Sequence, residues 1–264
     1  MKKKIIVPVS FSAASNHAAA WAAELALSIY ADLYLVHAVR PPVGSSELLM
    51  TNYVFEELHN IGKEELRKLQ DKLIRETGGK LNILTHMETG PVEVVIQSFC
   101  DRNLPFVVVM GTSGGSVLAI HRLSYPLIIV PENVQFRPIR KIVLSCDLDD
   151  LSGGIFDARP FLKELQTSLG ASYDLVNIMT AKEGQLGNEV FVTGYWKDRM
   201  QELFSGIHFV HVNKVKEGVL DYVEDHQADL VLVFPKKHGL LEFHISQARK
   251  IALESPVPVM SVHG

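Results

Sequence analysis

Lys4-Ile5-Ile6-Val7-Pro8-Val9-Ser10 comes back at an offset of 137 as Lys141-Ile142-Val143-Leu144-Ser145-Cys146-Asp147. In both places a lysine leads a short, β-branched run. The run is apolar almost throughout, which fits a strand covered on both faces, as in a parallel sheet. It is the first of four such returns in the same order. Ala31-Asp32-Leu33-Tyr34-Leu35-Val36-His37 matches Ala171-Ser172-Tyr173-Asp174-Leu175-Val176-Asn177 at an offset of 140. Ile83 to Met110 runs beside Ile207 to Phe234 at an offset of 124, and Pro126 to Val130 matches Pro258 to Val262 at an offset of 132. A fixed order of four apolar blocks marks an internal duplication. It predicts two domains, residues 1–137 and 138–264, joined near Gln135-Phe136-Arg137-Pro138.

Helical patterns fill the gaps between the strand-like runs. Ser12 can cap a first helix that sets Ala18, Trp21, Ala22, Leu25 and Ile29 on one stripe. Glu47 to Glu76 reads as a long second helix, and Gly90-Pro91 opens a third, with Pro91 as its first residue. In the second half, Phe161, Leu162, Leu165 and Leu169 mark the first helix, Tyr195 to Phe204 a short second one, and Val219, Leu220 and Val223 a third. Strands alternating with helices and joined by right-handed crossovers predict an α/β fold, a doubly wound parallel sheet in each half. In such sheets ligands sit beyond the carboxyl ends of the strands. Here that points to Ser10 and Asp147 after each first strand, and to Gly111–Ser116 and Pro235–Gly239 after each fourth.

Several residue sets together resemble the universal stress protein family. They are Ile6-Val7-Pro8-Val9-Ser10-Phe11-Ser12, the Ala-rich first helix, Val108-Val109-Met110-Gly111-Thr112, and the closing Pro126-Leu127-Ile128-Ile129-Val130-Pro131. The resemblance covers nearly the whole chain as two tandem copies. It implies two Rossmann-like domains with five strands in the order 3-2-1-4-5. In some members it also implies ATP binding, through an Asp after strand one and a G-x2-G-x9-G-[ST] loop after strand four. Glycines in such a loop let backbone N–H groups approach phosphate oxygens, and the next helix adds its N-terminal dipole.

Neither copy carries the full set. The first has Ser10 in place of the Asp. It keeps Gly111 and Gly114, and its Gly115-Ser116 follows with the nine-residue spacer lost. The second has Asp147, but Pro235 and His238 stand where the first two glycines belong, and Ile245 precedes Ser246. Proline lacks an N–H, and Cβ atoms obstruct a close backbone cradle. Lys236, Lys237 and His238 remain as side-chain anion donors.

Other chemistries lack their residue patterns. His208 and His211, three apart on a strand, point to opposite faces. His238 and His244 have no acidic partner in register, and no cluster has zinc-ligand spacing, so no metal is expected. Gly111-Thr112-Ser113-Gly114-Gly115 does not match a G-x-S-x-G elbow, which leaves no catalytic constellation. Cys100 and Cys146 read as small buried residues; the carboxylate of Asp147 beside Cys146 raises a thiol pKa instead of activating it.

Composition bounds the rest. The 264 residues are 47% hydrophobic and 21% charged, enough to fill a core. The net charge is -4, all of it in the second half, where 13 basic meet 17 acidic residues. That balance does not suit nucleic-acid binding. No apolar run is long enough for a membrane span, and the one after Met1 is too short for a signal-peptide core. Two cysteines without a disulfide framework fit the cytoplasm. The expected function is a non-catalytic stress-response protein that binds a protein partner or a small ligand, without a cofactor. The alternative is an adenine-nucleotide (ATP) module using altered loop residues. The apolar last strands, Leu127–Val130 and Val259–Val262, suggest an intramolecular pseudo-dimer of the two copies, with a further homodimer open.

Overall fold

The computed structural model describes residues 2–40, 48–112, 123–146, 154–179, 202–212, 214–234 and 250–262. The chain divides into two compact units, Met1–Glu132 and Asn133–Gly264.

The first unit holds β1 (Lys4–Pro8), α1 (Ala13–Ser28), β2 (Asp32–Val39), α2 (Leu48–Glu76), β3 (Ile83–Thr89), α3 (Val92–Asn103), β4 (Val107–Gly111) and β5 (Leu127–Val130). Its sheet is parallel throughout, in the order β3-β2-β1-β4-β5. Ile5 lies opposite Leu33 on one side and Val107 on the other, so β1 is the sheet's centre. Ile5, Ile6, Val7, Val107, Val108 and Val109 are fully buried, as a strand flanked by strands and covered by helices requires.

The second unit repeats the plan. Its elements are β6 (Lys141–Cys146), α4 (Gly154–Leu169), β7 (Ser172–Met179), β8 (Phe204–His211), α5 (Val215–Asp225), β9 (Leu230–Val233) and β10 (Val259–Ser261). The parallel order β8-β7-β6-β9-β10 is the same 3-2-1-4-5 arrangement. The α/β, two-domain, doubly wound reading therefore holds.

Three local expectations change. Pro91 is the cap of α3 and not its first turn; its ψ of 135 is extended, and helical geometry begins at Val92. Glu202 and Leu203 form a turn, and Phe204 opens β8, so the short helix expected through Phe204 cannot extend that far. Its residues 195–201 and the preceding loop, 180–194, lie outside the described residues. In α4 Leu162 and Leu165 of the expected stripe are buried, but the face continues through Ile155 and Ala158, and Phe161 and Leu169 are half-buried.

Candidate functional site

β1 does not run straight into α1. After Pro8 the chain makes a tight turn in which Phe11 takes a φ of 62, a left-handed conformation unusual for a residue with a side chain. Several bonds hold it there. The Val9 N–H donates to the Val36 carbonyl at 2.8 Å. The Ser10 N–H donates to Ser15 Oγ at 3.2 Å, and Asn16 Nδ2 donates to the Phe11 carbonyl at 3.4 Å. Ser12 then caps α1: its Oγ accepts the Ser15 N–H at 3.2 Å, as the sequence suggests. Ser10 Oγ and Ser12 Oγ share a hydrogen bond at 3.1 Å.

The turn forms one wall of a cavity of about 890 Å³ beyond the carboxyl ends of β1, β2 and β4. Val36 to Arg40 of β2 and the residue that follows it form a second wall. Leu58, Ile61 and Gly62 of α2 and Val92, Glu93 and Val94 of α3 complete the lining. The rim is apolar and open to water: Leu58 is 38% exposed, Ile61 50% and Val94 62%. Among the described residues the lining carries one cation, Arg40, and one carboxylate, Glu93.

His37 is a polar group of the lining held from two sides. Its Nδ1 lies 2.8 Å from the Val9 carbonyl oxygen, and its ring sits 4.5 Å from the Phe11 ring, tilted by 41°. Gly62 faces its other edge. A Cβ on Gly62 would stand 3.1 Å from His37 Cδ2 and 3.1 Å from Met87 Sδ.

Of the candidate residues chosen from sequence, Gly111 is described and ends β4 in this cavity wall. Its lack of a side chain has a packing reason. A Cβ there would come 2.4 Å from the Ala14 carbonyl oxygen, because α1 begins pressed against the end of β4. Gly114, Gly115, Ser116, Asp147, Lys236, Lys237, His238 and Ser246 lie outside the described residues, as does the side chain of Cys146. Sequence reasoning passed over Phe11, His37, Arg40 and Gly62. The signal that could have found Gly62 is a glycine inside an otherwise strong helical pattern, where it costs about 1 kcal/mol relative to Ala.

Other polar clusters lie away from the cavity lining. Glu88 accepts from Arg102 Nη2 at 2.6 Å and lies 3.1 Å from His86 Nε2; these hydrogen bonds, the one to His86 first, hold its carboxyl below the usual range. Cys100 is a free, fully buried thiol that burial pushes up to about 12, with the Asp101 charge adding to it. It is an inert core residue. Among the described residues no group of three or more His, Cys, Asp or Glu side chains is arranged to hold a metal ion, and no helix is long and apolar enough to cross a membrane.

Residues 1–124 match the model of the universal stress protein family. No curated protein matches the chain. Among solved structures, a universal stress protein from Archaeoglobus fulgidus DSM 4304 is 13% identical, with a TM-score of 0.71 over 98% of this chain and 96% of that one. A putative universal stress protein from Pseudomonas aeruginosa UCBPP-PA14 is 10% identical, with a TM-score of 0.61 over 99% of this chain and 93% of that one. At these identities the structures speak for the fold. A functionally unknown protein of Pseudomonas aeruginosa PAO1 shares that fold at 11% identity and a TM-score of 0.60, covering 99% of this chain and 92% of that one. With the family match over residues 1–124, the first unit is a universal stress protein domain, and the second unit repeats its strand order.

Proposed function

We propose that this protein is a non-catalytic, cytoplasmic binding member of its family, and that its first unit takes a small ligand in the cavity beyond β1, β2 and β4. The cavity itself carries the reading. It is large enough for a small molecule, lined mainly by apolar side chains with a few fixed polar groups, and placed where doubly wound sheets hold ligands. Triphosphate binding has weaker support. Ser10 stands where nucleotide-binding members carry an Asp, Arg40 is offset by Glu93, and Gly111 serves the packing of α1. The adenine-nucleotide alternative keeps the cavity's position at the switch point in its favour.

Mass spectrometry of the purified chain, native and then unfolded, tests the proposal without assuming a ligand. The expected result is a small molecule that stays with the native chain and is released on unfolding. Calorimetry with ATP is expected to show no saturable heat. Tight ATP binding abolished by Asp147→Ala would favour the nucleotide reading, and steady ATP turnover would refute the non-catalytic one.

A further inference from the structure

Geometry places the proton on one ring nitrogen of the cavity lining. A carbonyl oxygen can only accept, so the 2.8 Å contact between His37 Nδ1 and the Val9 oxygen puts a proton on Nδ1. In the neutral ring Nε2 then carries a lone pair and is an acceptor. Nε2 has no hydrogen-bond partner among the described residues, and His37 lines the cavity. The ring cannot turn away easily. Val9 holds one edge, and Phe11, itself locked at a φ of 62, lies against the ring.

Gly62 supplies a second, independent observation. It lies inside the 29-residue helix α2, where glycine is unfavourable and no positive φ calls for it. Its missing Cβ would stand 3.3 Å from His37 Nε2 and 3.1 Å from Cδ2. Any side chain there would crowd the edge of the ring that bears the lone pair. The helix gives up propensity at the position that keeps this edge clear.

Resting on the binding role proposed above, we infer that His37 is the specificity-determining residue of the cavity. It selects a flat, largely apolar, uncharged ligand that presents one N–H or O–H donor to Nε2. Flatness follows from the Phe11 ring beside His37, on which an aromatic body can stack. The apolar body follows from Leu58, Ile61 and Val94 at the rim. The lack of net charge follows from one Arg and one Glu among the described lining residues. The donor requirement is strong because an acceptor facing an apolar ligand is left unpaired, and an unpaired polar group is costly.

The full chain is titrated with 2-naphthol and with 2-methoxynaphthalene, which keeps the ring system but has no donor. Ligand fluorescence reports binding. The expected result is saturation at one site, about tenfold tighter for 2-naphthol. In His37→Phe the ring remains, the nitrogens are gone, and the preference disappears. Equal affinity of the two probes for the unaltered chain overturns the role of His37 and leaves the cavity as a binding site. If neither probe binds, the inference falls, and the binding role stands or falls on whether the native chain releases a small molecule on unfolding. His37→Phe also loses the bond to Val9, so a second measurement avoids any variant. Nitrogen NMR of the unaltered chain is expected to show a protonated Nδ1 and an unprotonated Nε2, with Nε2 alone moving when 2-naphthol is added. A proton on Nε2 in the neutral ring, or no shift at saturation, overturns the inference.

Discussion

The same place in the two sheets is solved in two ways. In the first unit Lys4 sits at the head of the central strand, its Nζ 5.9 Å from the centre of the Tyr34 ring on the next strand, and Tyr34 lies 5.9 Å from Phe99 of α3. In the second unit Lys141 heads the central strand, and its partner on the next strand is a carboxylate. Lys141 Nζ lies 3.6 Å from Asp174 Oδ2, and Asp174 is 7% exposed. Behind it stands Tyr222 of α5, whose buried hydroxyl faces the Asp174 carboxylate. A cation over a ring and an ion pair both use the lysine. The fold therefore depends on the order and register of the strands, while the chemistry beside the lysine can change. What changes with it is sensitivity: the second unit buries the Asp174 carboxylate beside its lysine, and the first has the Tyr34 ring at the matching position.

Alkali should separate the two units most clearly. In the first, burial raises the Cys100 thiol from 9.0 to about 12. In the second, burial, and after it the charge of Asp174, raise the Tyr222 phenol from 10.0 to about 12, and burial raises Tyr173 as well. These groups stay protonated in the fold and ionise in the unfolded chain once the pH passes their ordinary values. Alkali then favours the unfolded chain. Their stabilising contribution is complete below the unfolded pKa and is lost as pH climbs toward the folded one. The first unit should begin to weaken near pH 9 and the second near pH 10, with a loss on the order of 4 kcal/mol for Cys100 by pH 12. Urea unfolding followed by Trp21 fluorescence in a Trp196→Phe chain reads the first unit. Cys100→Ala should flatten its decline between pH 9 and 11, and an unchanged slope would count against a buried neutral thiol.

Gly111→Ala comes next. The new methyl would meet the backbone of Ala14, which cannot swing aside as a side chain can. The expected loss is about 3 kcal/mol, read as a shift of the Trp21 transition at constant urea slope. The matching position of the second unit is Pro235, so that unit is already built without a glycine there. A shift below about 0.5 kcal/mol would show that α1 can move off β4, and would return Gly111 to a loop role.

The strands and most helix positions were legible because burial on both faces writes itself into short β-branched runs such as Ile5-Ile6-Val7 and Val107-Val108-Val109, while their order came with the family resemblance. The Ser12 cap was legible for a local reason: its partner is three residues away. The cavity was not. Phe11, His37, Gly62 and Val94 come from four separated segments, and only the parallel register brings β1 and β2 side by side so that His37 reaches Val9. Gly111 shows the opposite case. Its identity stood out in the sequence, but the contact that explains it, with Ala14, is tertiary. Pro91 was misplaced by one residue because its fixed φ suits either a cap or a first turn, and ψ decides between them.

The smallest effect tests the opening comparison most directly, because it asks whether the two lysines are equally needed. Lys141→Met removes the partner of a nearly buried carboxylate. Breaking a fully buried pair costs several kcal/mol, but the Lys141 side chain is 37% exposed, and water screens what remains. The expected loss is about 1–2 kcal/mol. Lys4→Met removes a cation near a ring face and its long, 3.5 Å hydrogen bond to Asn103 Oδ1, and the methionine can pack on Tyr34 in its place. Its loss should be about 0.5 kcal/mol. Denaturation of both variants at low and at high salt separates the two contacts further. Salt should shrink the Lys141 effect, since an ion pair is screened, and should leave the Lys4 effect nearly unchanged once contact with the ring is mainly packing. Equal losses with equal salt dependence would mean that Asp174 draws its support from elsewhere in the second unit, and that the aromatic and the carboxylate are interchangeable without regard to the lysine beside them.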